Sequence, residues 1–145
     1  EFMSVYQLFY VSRCSEAITD SDVDNILKVS RENNSKKNIT GILLFRSGLF
    51  LQLLEGEKDL VQALFAKVEK DPRHRHVIKV LEKSGNDRIF GEWSMGYRKV
   101  EELELKMINE VLSWQKLITA SKDLDNHLIL HMLSRFHPNA KSKSA

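Results

Sequence analysis

Two runs of side chains, Ile39–Phe45 and Leu49–Leu54, limit what this chain can fold into more than anything else in it. Each is apolar at nearly every position, and only Arg46-Ser47-Gly48 lies between them. A strand with one wet face alternates apolar and polar residues, whereas a strand without that alternation is covered on both faces. Ser47-Gly48 supplies the tight turn that joins two such strands. The expected centre of the molecule is therefore a hairpin inside a three-layer structure. Val23, Ile26, Leu27 and Ser30, and later Leu60, Val61, Leu64, Phe65 and Val68, recur at helical spacing and give one covering layer. The other cover must come from the chain after residue 100.

Val5–Ser12 reads as a first strand, Val77–Leu81 as a fourth and Trp93–Val100 as a fifth. The first helix starts at Thr19-Asp20-Ser21-Asp22, where hydroxyl and acidic groups meet free amides, and stops at Asn33-Asn34-Ser35. The second ends near Asp71-Pro72. The order is β-α-β-β-α-β-β, an α+β, ferredoxin-like pattern with one extra strand. Leu105, Ile108, Val111, Leu112 and Ile118, then Leu124, Leu128, Met132 and Leu133, predict two C-terminal helices on the back of the sheet. The expected division is 3–100 as the principal domain, 101–137 as a helical cap and 138–145 as a disordered basic tail. Glu1-Phe2 ahead of Met3 reads as a vector-derived pair.

With 145 residues, this is one domain plus an appendage. A net charge of +2 is too small to argue for nucleic acid. No apolar stretch reaches the about 20 residues that span a bilayer. The lone Cys14 excludes an internal disulfide and suits a reducing cytoplasm.

Within the second run of the hairpin stands Gln52, flanked by Phe50, Leu51, Leu53 and Leu54. A carboxamide buried in a strand is costly unless its donors and acceptors are matched, so something polar must meet it. Around it are four further motifs: Tyr10 in the opening strand, Asn33-Asn34 ahead of Ile39-Thr40-Gly41, Asp71-Pro72-Arg73-His74, and Trp93-Ser94-Met95. In this order and at these spacings the chain resembles the BLUF domain, a blue-light sensor that uses a flavin. The resemblance covers roughly residues 5 to 100 and stops short of the last third.

The resemblance implies a photosensor, not a turnover enzyme, with a non-covalent flavin between the two early helices. FAD is the first expectation, with FMN or riboflavin as alternatives. Tyr10 is the implied electron and proton donor, and Gln52 the relay between that tyrosine and the flavin edge. Asn34 and Asn33 are implied to pair with the pyrimidine-like edge of the ring, which a carboxamide complements. Arg73 and His74 lie where the family holds the ribityl-phosphate side, and Ile26 and Ile39 are candidates to sandwich the ring. Trp93 and Met95 are the implied signalling residues; two apart in a strand, they are expected to share a face. Ordinary core packing is the alternative for Tyr10, Ile26, Ile39, Trp93 and Met95, and capping for the asparagines.

A competing expectation is a light-independent protein-interaction module, because the ferredoxin-like fold hosts unrelated functions. An acylphosphatase-like enzyme would need a glycine-rich loop near Arg13, and Ser12–Ala17 has no glycine. His127 and His131, four apart, lack a third metal ligand, so no metal is expected. The output is expected to pass to an unidentified downstream protein, and the apolar C-terminal helices leave room for a homo-oligomer.

Overall fold

A computed structural model of the chain describes residues 4–14, 18–117 and 122–136, with the side chains of 114–127 outside that description. The elements are β1 (Val5–Cys14), α1 (Asp20–Lys37), β2 (Thr40–Arg46), β3 (Leu49–Gly56), α2 (Lys58–Lys70), β4 (His74–Gly85), β5 (Gly96–Lys99), α3 (Glu102–Leu117) and α4 (Lys122–Ser134). The sheet order is β4-β1-β3-β2-β5. The first four strands are antiparallel neighbours, and β5 adds in parallel beside β2. This is the α+β, ferredoxin-like arrangement with one extra edge strand.

The absence of alternation in the hairpin has the predicted consequence. Every residue from Thr40 to Phe45 and from Phe50 to Gly56 is buried. One face meets α1 and α2 through Val23, Leu27, Val61 and Phe65. The other packs Ile42, Leu44, Leu51 and Leu53 against Ile108 of α3 and Ile129, Met132 and Leu133 of α4. At roughly 1.5–3 kcal/mol for each large apolar side chain buried, these two layers outweigh the cost of a few buried polar groups, provided those groups are paired. Leu128 is not in the α4 seam; it is 41% exposed, and Ile129 and Leu130 take the inward positions. Ile118, the His127 side chain and the tail at 138–145 lie outside the described residues.

Thr19 caps α1 as expected, with Asp22 returning a bond to the Thr19 amide in a capping box. The helix does not stop at Asn33-Asn34-Ser35. It runs to Lys37 and ends on Asn38, whose φ of 53° is left-handed and whose N–H reaches the carbonyls of Asn34 and Ser35. Asn34 can stay helical because its side chain bonds the Ser94 carbonyl instead of competing for local backbone. The fourth strand is longer than Val77–Leu81, since β1 pairs with it from Val5↔Gly85 to Cys14↔His74. Its outer positions, His74–His76 and Glu82–Gly85, hold no apolar side chain that would mark a strand.

The fifth strand begins only at Gly96, so Trp93 and Met95 precede it. They do not share a face: Met95 packs with the α1–α2 layer and Trp93 with the α3–α4 layer. The irregular backbone here docks on β2, where the Gly41 N–H donates to the Trp93 carbonyl at 3.1 Å. Gly41 is required by the close approach of β3, because a Cβ there would stand 1.9 Å from the Leu53 carbonyl oxygen.

Candidate functional site

Three adjacent strands place Tyr10, Gln52 and Leu43 side by side. Tyr10 is directly opposite Gln52 between β1 and β3, and Gln52 opposite Leu43 between β3 and β2. The Tyr10 hydroxyl donates to Gln52 Oε1. Gln52 Nε2 donates to Met95 Sδ at 3.2 Å. Gln52 thus stands in the middle of a Tyr10–Gln52–Met95 chain, and Met95, not Trp93, is the residue that faces it. Tyr10 is 1% exposed and tilts against Phe65 at 5.3 Å. Burial pushes its phenol well above the ordinary tyrosine range, and the Asp71 charge adds to that. It is a neutral hydrogen-bond donor throughout the physiological range.

Tyr10 and Gln52 of this chain form part of the floor of a cavity of about 170 Å³ between α1 and α2. Ile26, Val29, Asn33 and Asn34 of α1 line one side and Leu64, Lys67 and Val68 of α2 the other. Tyr10, Leu43, Phe50 and Gln52 come from the sheet, while Asp71, Arg73 and His74 complete the wall after α2. The volume is below the roughly 300–1,000 Å³ usual for cofactor-sized ligands, so a three-ring heterocycle needs wall side chains to give way. The exposed side chains of Asn33, Lys67 and Arg73 can do so at little cost.

Arg73 forms a fork with Asp71, Nη2 to Oδ2 being 2.7 Å. The Arg73 hydrogen bonds hold the Asp71 carboxyl below its usual range, and Asp71 raises the guanidinium in return. His74 Nδ1 lies 2.8 Å from the buried Ser12 Oγ, and its ring is 5.5 Å from that of Phe50. Burial lowers the His74 pKa; Asp71 opposes that shift and Arg73 adds to it. The ring is therefore neutral near pH 7. Because the folded value lies below 6.5, the unfolded chain binds more protons in the window under the ordinary histidine range. Stability present above that range is lost as pH falls through it. Urea midpoints of flavin-free protein should decline through this window more steeply than those of His74→Gln. Parallel declines would mean that His74 is not desolvated.

Asn34 is buried and its Nδ2 donates to the Ser94 carbonyl at 2.9 Å. Its Oδ1 is the atom it can offer to a ring N–H. Asn33 is exposed at the cavity wall. Ile26 lines the cavity, whereas Ile39 is 1% exposed in the core, its Cγ1 close against Gly56.

Two residues near the site escaped the sequence reading. Arg31 Nε donates to the Met95 carbonyl at 2.9 Å, so α1 grips both Ser94 and Met95. Glu55, fully buried, accepts from Gln7 Nε2 at 2.7 Å and from the Ile89 and Phe90 amides at 2.6 and 2.8 Å. Its signal was present, since it directly follows the apolar run that holds Gln52. Among the described residues no group of acidic, histidine and cysteine side chains is placed to hold a metal. No described helix is long and apolar enough to cross a membrane.

A family model described as sensors of blue-light using FAD matches residues 5–96. The chain belongs to the BLUF family. The BLUF domain is 37% identical over 84 residues to the photoactivated adenylate cyclase subunit alpha of Euglena gracilis, covering 58% of this chain and 8% of that protein. It is 35% identical over 89 residues to the subunit beta of Euglena longa, covering 61% of this chain and 10% of that one. The chain thus spans about a tenth of the curated relatives it matches. Two solved structures match nearly end to end. BlsA in its photo-activated state has a TM-score of 0.72 at 28% identity, covering 91% of this chain and 95% of that one. BlrB, a BLUF protein in its dark state, has a TM-score of 0.67 at 26% identity, covering 90% and 96%. The chain is a flavin-using blue-light sensor by family, and the cavity between α1 and α2 has the donors, acceptors and apolar walls to suit a flavin.

Proposed function

We propose that this BLUF domain switches through Tyr10, Gln52 and Met95, and that the hydrogen-bonded chain running from Tyr10 and Gln52 on the cavity floor to Met95 carries the reading. A bound flavin, FAD in first place, supplies the blue-light absorption and an excited state able to take an electron. Tyr10 is the source of the electron and of the proton that follows it along its bond to Gln52. Asn34 and Asn33 hold the ring edge, Ile26 packs on its face, and Arg73 and His74 hold the ribityl-phosphate end. To do so Arg73 shares its fork between Asp71 and the phosphate.

Gln52 then changes state by rotation, tautomerisation or both. Rotation puts its oxygen where Nε2 now donates, which ends the donation to Met95 Sδ. Met95 is the residue before β5, so the change reaches the segment that leads into α3 and α4. The sensor is residues 3–100 and the output 101–137, read by a downstream protein in the cytoplasm or by a second copy of the chain. The chain itself turns over no substrate.

The test is the visible absorption of the purified, flavin-supplemented protein in darkness and under blue light. A flavin spectrum that shifts slightly to the red and recovers in darkness is the expected result. Bleaching without a red shift would assign ordinary redox chemistry instead. Failure to take up any flavin would favour a light-independent interaction module.

A further inference from the structure

Arg98 stands three residues beyond Met95. In the parallel register with β2, Tyr97 lies opposite Leu43 and Arg98 opposite Leu44. Leu43 belongs to the cavity-side core and Leu44 to the helix-side core. Successive residues of a strand point to opposite faces, so β5 turns Tyr97 to the cavity layer and Arg98 to the α3–α4 layer.

There Arg98 touches both C-terminal helical segments at once. Its guanidinium pairs with Glu104 in the first turn of α3. Its Cζ sits 4.9 Å from the centre of the Phe136 ring, just past the end of α4. Glu104 in turn accepts the Glu101 N–H at 2.9 Å, so a pull on Glu104 is a pull on the start of α3. Exposed ion pairs contribute little, but here the Arg98 and Glu104 side chains are only 15% and 23% exposed, and Phe136 is 1% exposed. A planar guanidinium that both pairs and stacks fixes geometry in a way a lysine cannot. Arg98 Nε is buried with no acceptor among the described residues. An unmade buried donor is unfavourable, so a small shift of β5 that gives Nε an acceptor is favoured to that extent. The pair between Lys99 of the same strand and Asp20 of α1 is exposed at both ends and lacks this leverage.

We propose that Arg98 is the positioning residue that couples β5 to α3 and α4, so that displacement of Met95 moves Glu104 and Phe136 together. This rests on the photosensing reading above. The experiment is hydrogen exchange of α3 and α4 in the full chain with bound FAD, in darkness and under blue light, beside the absorption spectrum. Wild type should show a light–dark difference in both helices. Arg98→Met should keep flavin and red shift while that difference falls to about one fifth or less. Arg98→Lys, which keeps the charge but not the planar stack, should restore part of it. A purely structural Arg98 would speed exchange equally in light and darkness and leave the difference intact, which would overturn the proposal. So would a red-shifting wild type with no light–dark difference in these helices. If Arg98→Met does not fold, Glu104→Gln replaces it; a reduced difference supports the clasp and an unchanged one overturns it. A wild type without any red shift would sink the photosensing reading itself, a separately visible failure.

Discussion

Tyr10→Phe should bind flavin normally and show no light-induced red shift at all. The phenol is the only group that changes, and it lies in the floor of the cavity, so the proposed ring binding by Asn34 and the apolar walls should be kept. What is lost is the donor to Gln52 Oε1 and with it the proposed electron and proton source. The same substitution has a stability signature. It strands the acceptor of a buried carboxamide, which costs about 1–3 kcal/mol. Gln52→Leu alone strands the Tyr10 hydroxyl by a similar amount. Replacing both partners with apolar groups removes the mismatch, so the double variant should be destabilised by clearly less than the sum of the singles. Absorption spectra and urea titrations of the three variants check both claims. A normal red shift in Tyr10→Phe would take Tyr10 out of the mechanism. Additive stabilities would show that the two side chains do not bond in solution.

The central hairpin was legible because covering both faces of a strand leaves an unambiguous mark: no polar positions to alternate with. Tyr10 and Gln52 were legible by motif, and their direct cross-strand pairing on β1 and β3 explains why the two occur at that spacing. The length of β4 was not legible, because an edge strand with polar ends carries no periodic apolar signal there and takes its extent from its partner β1. The placing of Trp93 and Met95 on one face failed for a different reason. Period-two reasoning holds only inside a strand, and here the regular pairing starts at Gly96. Ahead of it the chain is held by single bonds from Gly41, Asn34 and Arg31. Such tethers come from residues far away in the chain and leave no local pattern. Asn38 took the helix cap from Asn33-Asn34 because the side chain of Asn34 had a tertiary partner.

Glu55→Ala should be the most destabilising single change near the site. The wild-type side chain is fully buried and has no direct cation partner among the described residues; it is held by neutral donors instead. Truncation leaves the Ile89 and Phe90 amides and the Gln7 carboxamide without their acceptor, at about 1–3 kcal/mol each. Partial relaxation brings the expected loss to about 3–5 kcal/mol. Against a total stability of roughly 5–15 kcal/mol, that is enough to unfold much of the protein at modest temperature. Glu55→Gln keeps the shape but turns an N–H towards the donors that the second oxygen accepts, so it should relieve only part of the loss. Arg88, which bonds Thr40 Oγ1 and the Glu55 carbonyl, is on the edge of this cluster and should cost much less when changed to Lys. Urea unfolding monitored by circular dichroism checks the order. A Glu55→Ala loss under about 1 kcal/mol would mean that water replaces the carboxylate among these donors. The consequence for the sensor follows from position. Glu55 fixes residues 89 and 90, Gly41 fixes 93, and Asn34 and Arg31 fix 94 and 95. With the first of these tethers gone, Met95 would be approached by a loosened segment, and in whatever Glu55→Gln folds the contact with Gln52 should be weaker than in wild type.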